Sequence, residues 1–510
     1  IFTTIAWLLI IIACINFMNL ATATADQRAK EVGIRKVVGV TKWMLIRQFL
    51  AESLFASFIA TALSVGLIYL SLPYFRQLTE SAIVFEFFSI KHLTSLLLIW
   101  ILSGCIAGMY PAFYLSSFKP IQVLKGFRFR NSISGMFIRK GLVITQFSLS
   151  IILMIATIVI YKQLNHVQSR DIGYNKSGLL YFELNRGLRK QYTAIRNELK
   201  SKQIIEEATL CTSNVLQFGM NSDAYTWEQK DPDKGLLITQ ESINETYFET
   251  LGMKLVAGRT FKSDLKQDSG KIIINETFAK IINPKSVIGH YVTVKQTGER
   301  LEIVGVVKDF LYNNMYNQPS PIMMFADTSN VNFMVVRMNQ NKASADVLDE
   351  IKNIFKKFNP DYPFEYYFLD ESFSRLFKTE KMTGTLATVF AFLTIIISAI
   401  GLFGLSAYTI FLRRKEVSIR KVLGASEHTL IMMLSKNFLS VVCIACLIAF
   451  PTAWWLLSEW LSSYAYRINL SWWIFLITGL VSVAVVILTI AYHAVRMAYE
   501  NPVKYLRNNN

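Results

Sequence analysis

Few residues in this sequence stand at spacings that do chemistry on their own. Cys443 and Cys446 form a Cys-x-x-Cys pair, a spacing used by zinc and redox sites. No second pair or neighbouring His completes it, and both residues sit in an apolar run, so they read as small apolar residues of a helix. Cys14 and Cys105 also fall in apolar runs and only Cys211 lies outside them, so no disulfide framework is indicated. The five His are scattered. Dinucleotide-binding glycines, a His-Glu-x-x-His pair, a nucleophile elbow and an ATP phosphate loop are all absent from the 510 residues. The expectation is a protein that is not itself an enzyme and binds no metal or cofactor directly.

One charged pattern does recur. KEVGIRKVVG occupies residues 30–39 and KEVSIRKVLG residues 415–424, agreeing at eight of ten positions across 385 residues. In the first copy Ile34, Val37 and Val38 share one helical face, with Lys30, Glu31, Arg35 and Lys36 around them. In the second, Ile419, Val422 and Leu423 repeat the stripe among Lys415, Glu416, Arg420 and Lys421. Gly39 and Gly424 follow as helix stops, and Thr41 and Ser426 are good N-caps for the next helix. A lipid-surface anchor needs only apolar and basic residues. The return of the Glu and the Gly in register points instead to one surface docked twice by similar partners.

The elements that carry these copies are membrane helices. The chain is 52% hydrophobic and its mean hydropathy is +0.34. A crossing needs about 20 apolar residues, and seven runs qualify: 1–22, 52–74, 93–115, 141–161, 384–412, 437–457 and 472–494. None has an Asp, Glu, Lys or Arg in its central part. The net charge of +17 is concentrated in 25–48, 116–140, 413–436 and 496–510, which hold 21 basic and 5 acidic residues. Basic charge confined to short segments between apolar runs is the positive-inside pattern, which places all four in the cytoplasm and 163–383 outside. It also explains the high pI without nucleic acid, which is not expected as a partner; contact with anionic membrane lipids is. Trp454, Trp455, Trp460, Trp472 and Trp473 flank the last outer loop as an interfacial belt.

The expected fold is a multi-pass α-helical membrane protein with seven visible transmembrane helices, a parallel internal repeat and an extracytoplasmic α+β domain. Within 163–383 strand-like runs lie at 178–184, 271–275, 302–307, 321–325 and 333–338, with helices near 188–202 and 344–357. Four regions follow: a first helical half at 1–126 with its decapeptide helix at 28–40, a basic linker and fourth helix at 127–162, the α+β domain at 163–383, and a second half at 384–510 with its helix at 413–425. The segments 118–126 and 500–508 also correspond, with Pro120 and Pro502 each four residues before a Leu. This parallel leads us to expect a further helix and outer domain ahead of Ile1. Gly104 and Gly108, and Gly401 and Gly404, read as helix-packing sites.

The stretches RAKEVGIRKVVGVTKWMLIRQFLAES and RRKEVSIRKVLGASEHTLIMMLSKNF resemble the cytoplasmic turn of FtsX/MacB-like ABC transporter permeases. The outer segments NETYFETLGMKLVAGRTF (244–261), INETFAK (274–280) and IVGVVKDF (303–310) resemble the MacB-type periplasmic core domain, and ENPVKYLR (500–507) completes the likeness. The resemblance implies a bacterial inner-membrane permease subunit with no ATPase of its own. It implies a cytoplasmic ABC ATPase homodimer that binds ATP-Mg, docked on Lys30, Glu31, Ile34, Arg35, Lys36 and Gly39 and on Lys415, Glu416, Ile419, Arg420, Lys421 and Gly424. ATP hydrolysis would then move the outer domains, for export of peptide, drug-like or lipidated cargo with a periplasmic adaptor or outer-membrane component. The alternative is a signalling relay that regulates a periplasmic cell-wall hydrolase.

Overall fold

The computed structural model describes the chain except residues 1, 24, 80–82, 87, 118–132, 229, 232–234, 283–285, 361–363, 413–415, 417–418, 421–422, 424–425 and 500–510. It divides into two compact units, one of residues 1–163, 381–461 and 469–510, the other of 164–380 and 462–468.

The first unit is helical. The first half supplies α1 (Phe2–Ala23), α2 (Ala25–Val37), α3 (Lys42–Thr79) and α4 (Ile90–Ser116), followed by α5 (Ile133–Gln168). Among the described residues, seven helices are long and apolar enough to cross a membrane, matching the seven runs in the sequence. The helices outrun the apolar stretches: α3 starts ten residues before its run and carries the amphipathic lead from the decapeptide. α3 packs closely on α4 where small residues allow it. A Cβ at Gly108 would stand 2.6 Å from Cβ of Ser53, and one at Gly104 2.8 Å from Cδ2 of Leu54. The polar groups between them are paired: Trp100 Nε1 donates to the Leu54 carbonyl at 2.8 Å, and the Ser57 and Ser103 hydroxyls lie 2.7 Å apart. Pairing of this kind is what an apolar solvent demands of any polar group.

The second unit is the α+β domain. Its strands are β1 (Leu179–Glu183), β2 (Ile205–Cys211), β3 (Asn221–Ser222), β4 (Tyr225–Trp227), β5 (Ile238–Ile243), β6 (Leu255–Gly258), β7 (Lys271–Asn275), β8 (Tyr291–Val294), β9 (Arg300–Val307), β10 (Ile322–Ala326), β11 (Phe333–Met338) and β12 (Tyr367–Phe368). They form one mixed sheet in the order β12-β1-β11-β2-β5-β10-β7-β9-β8-β4, with β3 on β5 and β6 on β9. Helices α6 (Arg186–Lys190), α7 (Tyr192–Ser201), α8 (Tyr247–Leu251), α9 (Glu276–Ile282), α10 (Ser344–Phe358) and α11 (Leu369–Leu376) flank it. The membrane region resumes with α12 (Lys378–Leu412), α13 (Glu427–Ser462) and α14 (Trp472–Tyr499).

Both faces of the sheet are covered, which explains runs such as Leu179–Phe182 that are apolar without alternation. Leu179 and Tyr181 enter one core with Tyr247, Phe310 and Val335. Leu180 and Phe182 enter another with Ile195, Val336, Val347, Ile351 and Ile354. The latter three form the face of α10 that its spacing marks out.

Two buried carboxylates in this domain have opposite fates. Burial raises Glu207, but Arg196 at 2.6 Å, Lys200 at 2.7 Å and the Ala208 N–H outweigh it and hold the carboxyl at about 2. Glu241 on β5 has no such cations: its Oε1 accepts the Ser213 N–H at 2.7 Å, and its Oε2 has no partner among the described residues. Burial raises it to about 7, in spite of that N–H and the one from Thr212. The folded value lies above the ordinary 4.5. The stability that depends on neutral Glu241 is therefore full below pH 4.5 and lost as pH rises through about 7, by about 3 kcal/mol at most. Glu241→Gln is expected to flatten this dependence, so that the fall in Tm between pH 5 and pH 8 shrinks; an unchanged fall would show that the carboxyl does not titrate there.

Candidate docking site

Helix α2 and its sequel build the first copy. It ends in a Schellman turn: Val40 N–H donates to Arg35 O at 3.0 Å and Gly39 N–H to Lys36 O at 3.1 Å. Gly39 has φ +103°, a conformation that costs any residue with a Cβ. Thr41 Oγ1 then accepts the Met44 N–H at 3.4 Å and starts α3. The chain reverses within four residues, so α2 lies against the ends of α3 and α4.

The inward contact is Val32, 2% exposed, packed with Leu45, Ile46, Phe49, Ala112 and Leu115. Three polar ties fix the same face. Lys36 Nζ donates to the Ser116 carbonyl at the end of α4 at 2.6 Å, where burial and the nearby Lys42 push its ammonium below the usual lysine value. Arg35 Nη1 donates to Gln48 Oε1 at 2.7 Å, and Arg28 pairs with Glu52 at 2.6 Å. The apolar stripe read from the sequence therefore points away from the bundle. Ile34, Val37 and Val38 are 55%, 62% and 79% exposed, and Trp43 and Met44 continue the surface.

The second copy repeats what can be compared. Glu416 pairs with Arg420 at 2.9 Å, as Glu31 does with Arg35 at 2.6 Å, each one turn apart. Ile419 and Leu423 are exposed. Ser426 Oγ accepts the Thr429 N–H at 3.3 Å, a cap equivalent to that of Thr41. Arg420 contacts Met433, which stands 385 residues after Gln48, the partner of Arg35. Lys415, Lys421, Gly424 and the side chain of Lys30 lie outside the described residues, as do segments 118–126 and 500–508. Sequence reasoning passed over Val32, Gln48 and Met433. Val32 is one apolar residue beside a stripe of three, and only the contact with α3 and α4 separates its role from theirs. The signal for Gln48 and Met433 was their equal spacing from the two copies.

Helix α2 is thus a short basic helix with its anchor underneath and an apolar stripe outside. Among the described residues no group of three or more His, Cys, Asp or Glu could hold a metal ion. An exposed apolar stripe with a charged rim is the kind of surface that a groove on another protein can cover.

The FtsX-like permease C-terminal family model matches residues 3–120 and 388–502, one stretch around each decapeptide. The MacB-like periplasmic core domain model matches residues 145–354. The macrolide export ATP-binding/permease protein MacB of Neisseria gonorrhoeae is 23% identical over 244 residues, covering 45% of this chain and 36% of that protein. The uncharacterized ABC transporter permease YknZ of Bacillus subtilis is 30% identical over 124 residues, 24% of this chain and 30% of that one. The match thus spans about a third of these relatives' length, 36% and 30%. Of solved structures, the periplasmic region of MacB from Actinobacillus actinomycetemcomitans is 16% identical, with a TM-score of 0.29, over 41% of this chain and 97% of that one. The extracellular domain of YknZ is 18% identical, with a TM-score of 0.25, over 37% and 96%. The chain belongs to the FtsX/MacB-like ABC transporter permease family, as a multi-pass membrane protein with a periplasmic domain.

The inner and outer faces of α2 separate experimentally. Val32→Ala should destabilise the purified chain by about 1–2 kcal/mol, because it empties a packed site, whereas Ile34→Ala should leave Tm within the error of a surface change. Equal losses for both would mean that the stripe is buried.

Proposed function

We propose that this chain is the membrane subunit of an exporter in the bacterial inner membrane, driven by a separate cytoplasmic ATPase homodimer that binds ATP-Mg. The observation that carries the reading is the doubled docking surface. Ile34, Val37 and Val38 in one copy, and Ile419 and Leu423 in the other, are exposed beside the same Glu–Arg pair. An apolar helix stripe with a charged rim suits a groove on a partner protein, and two matched copies suit a partner with twofold symmetry. Lys30, Gly39, Lys415, Lys421 and Gly424 complete the two surfaces in this reading, whereas Lys36, expected there from the sequence, is tied inward to the Ser116 carbonyl.

Closure of the ATPase dimer on ATP would draw the two helices together and tilt the membrane helices attached to them. The route outward is short. Helix α5 ends at Gln168 and α12 begins at Lys378, both within the α+β unit. The loop 462–468 between α13 and α14 also belongs to that unit. Its Tyr466 stacks on His166 with ring centres 4.4 Å apart, lies under Arg170 and donates its N–H to Tyr316 O at 3.0 Å. Three connections thus pull on the periplasmic domain when the helices move. The apolar runs lack central Asp, Glu, Lys and Arg, which disfavours ion-coupled transport through the bilayer. Cargo presented from the periplasmic side, of peptide, drug-like or lipidated type, fits this relay, with lipids and a periplasmic adaptor or outer-membrane component as further partners.

The Glu–Arg pairs are exposed and contribute little to helix stability, so reversing them changes the surface more than the fold. Glu31→Lys with Glu416→Lys should reduce co-purification of the ATPase subunit about tenfold and leave membrane insertion intact. The complex should contain one chain per ATPase dimer. Retained binding, or two chains per dimer, would contradict the docking reading. Stimulation of the reconstituted ATPase by a cell-wall hydrolase, and by no exported compound, would replace export with signalling.

A further inference from the structure

Helices α1 and α12, one from each half of the chain, are in contact, and at the centre of that contact the two copies differ. Counting back 385 residues, the offset of the decapeptides, Gly401 on α12 corresponds to Asn16 on α1, and Gly404 to Asn19. Asn16 faces its own counterpart. A Cβ at Gly401 would stand 2.8 Å from Cγ of Asn16 and nearer still to Oδ1, and one at Gly404 would run into Cδ2 of Leu20. The Asn16 amide donates to the Ile397 carbonyl at 3.5 Å, the turn of α12 that Gly401 leaves open. Asn19, one turn on, is fully buried.

We infer that this Asn–Gly junction is a pairing device: α1 fits α12 of the same chain and fits neither a second α1 nor a second α12. The contact lies where equivalent positions of the two halves face each other. Two asparagines there would collide at the distance that glycine permits. Two glycines would pack, but without the amide-to-carbonyl bond that fixes the register. Only the mixed pair gives close packing together with a hydrogen bond, and both count in an apolar medium where burial of apolar surface does not drive helices together. Selectivity arises because the wrong pairings are penalised as well as the right one favoured. The twofold docking surface is then built from two unlike halves, and a single chain completes it. This inference concerns the pairing of helices and does not rest on the ATPase partner.

The junction predicts a reciprocal rescue. If the two halves are equivalent about this contact, an asparagine at 401 would find the carbonyl of Ile12, which corresponds to Ile397. The test uses the full chain in detergent, with apparent Tm and monodisperse yield as readouts. Gly401→Asn alone should lower Tm by about 4 °C or more and reduce the yield. Asn16→Gly combined with Gly401→Asn should recover most of both. Asn16→Ala, which removes the bond but not the close approach, should fall between Gly401→Asn and the native chain. Tolerance of Gly401→Asn alone would overturn the proposal, and so would an exchange variant no better than Gly401→Asn.

Discussion

The packing of Val32 beneath the first decapeptide helix is the contact on which the proposed docking surface depends. A helix of 13 residues is marginal by itself in water. What holds α2 is Val32 among Leu45, Ile46, Phe49, Ala112 and Leu115, together with the tie from Lys36 to the end of α4. With that face turned in, the stripe of Ile34, Val37 and Val38 can only turn out. The left-handed turn at Gly39 lets the chain reverse into α3 so soon that α2 rides on α3 and α4. A force on the stripe is then a force on the two membrane helices.

Several polar groups tie the membrane helices together, although buried Asn19 and Gln146 Nε2 have no hydrogen-bond partner among the described residues. Polar side chains close bonds across helix boundaries: Ser57 with Ser103, Ser150 with Ser398 at 2.8 Å, and Ser148 to the Ala445 carbonyl. Each such bond contributes about 0.6–2 kcal/mol in a membrane, enough to set register when several act together. A bundle fixed in this way moves as packed bodies rather than by local rearrangement. The asymmetric contact of Asn16 with α12 extends the same logic to the boundary between the halves.

Much of this was legible in the sequence, because the membrane signal and the repeat are strong. All seven runs became helices, and the apolar strands at 271–275 and 333–338 stand as read. Strands β2 and β5 escaped notice for a physical reason. Their sequences, IEEATLC and ITQESI, look half polar. Glu207 is buried because Arg196 and Lys200 on α7 neutralise it, and Glu241 because burial itself favours its neutral form. Neither cause is local in sequence. The stripe at Ile34 was visible as a stripe, but whether it faced the bundle or the outside depended on α3 and α4. The junction at Asn16 was hidden for the converse reason: the repeat was read for what the copies share, and this contact works through a difference.

The central claim is that two equivalent helix tips are drawn together by one partner. Val38 and Leu423 are equivalent tip residues, 79% and 80% exposed, and can carry spin labels as cysteines. The measurement is the distance distribution between them in the full chain bound to its ATP-binding subunit, first without nucleotide and then with ATP trapped by vanadate. Closure predicts a shift to shorter distance with ATP. A distribution that stays the same, with the complex intact and hydrolysing ATP, would contradict it.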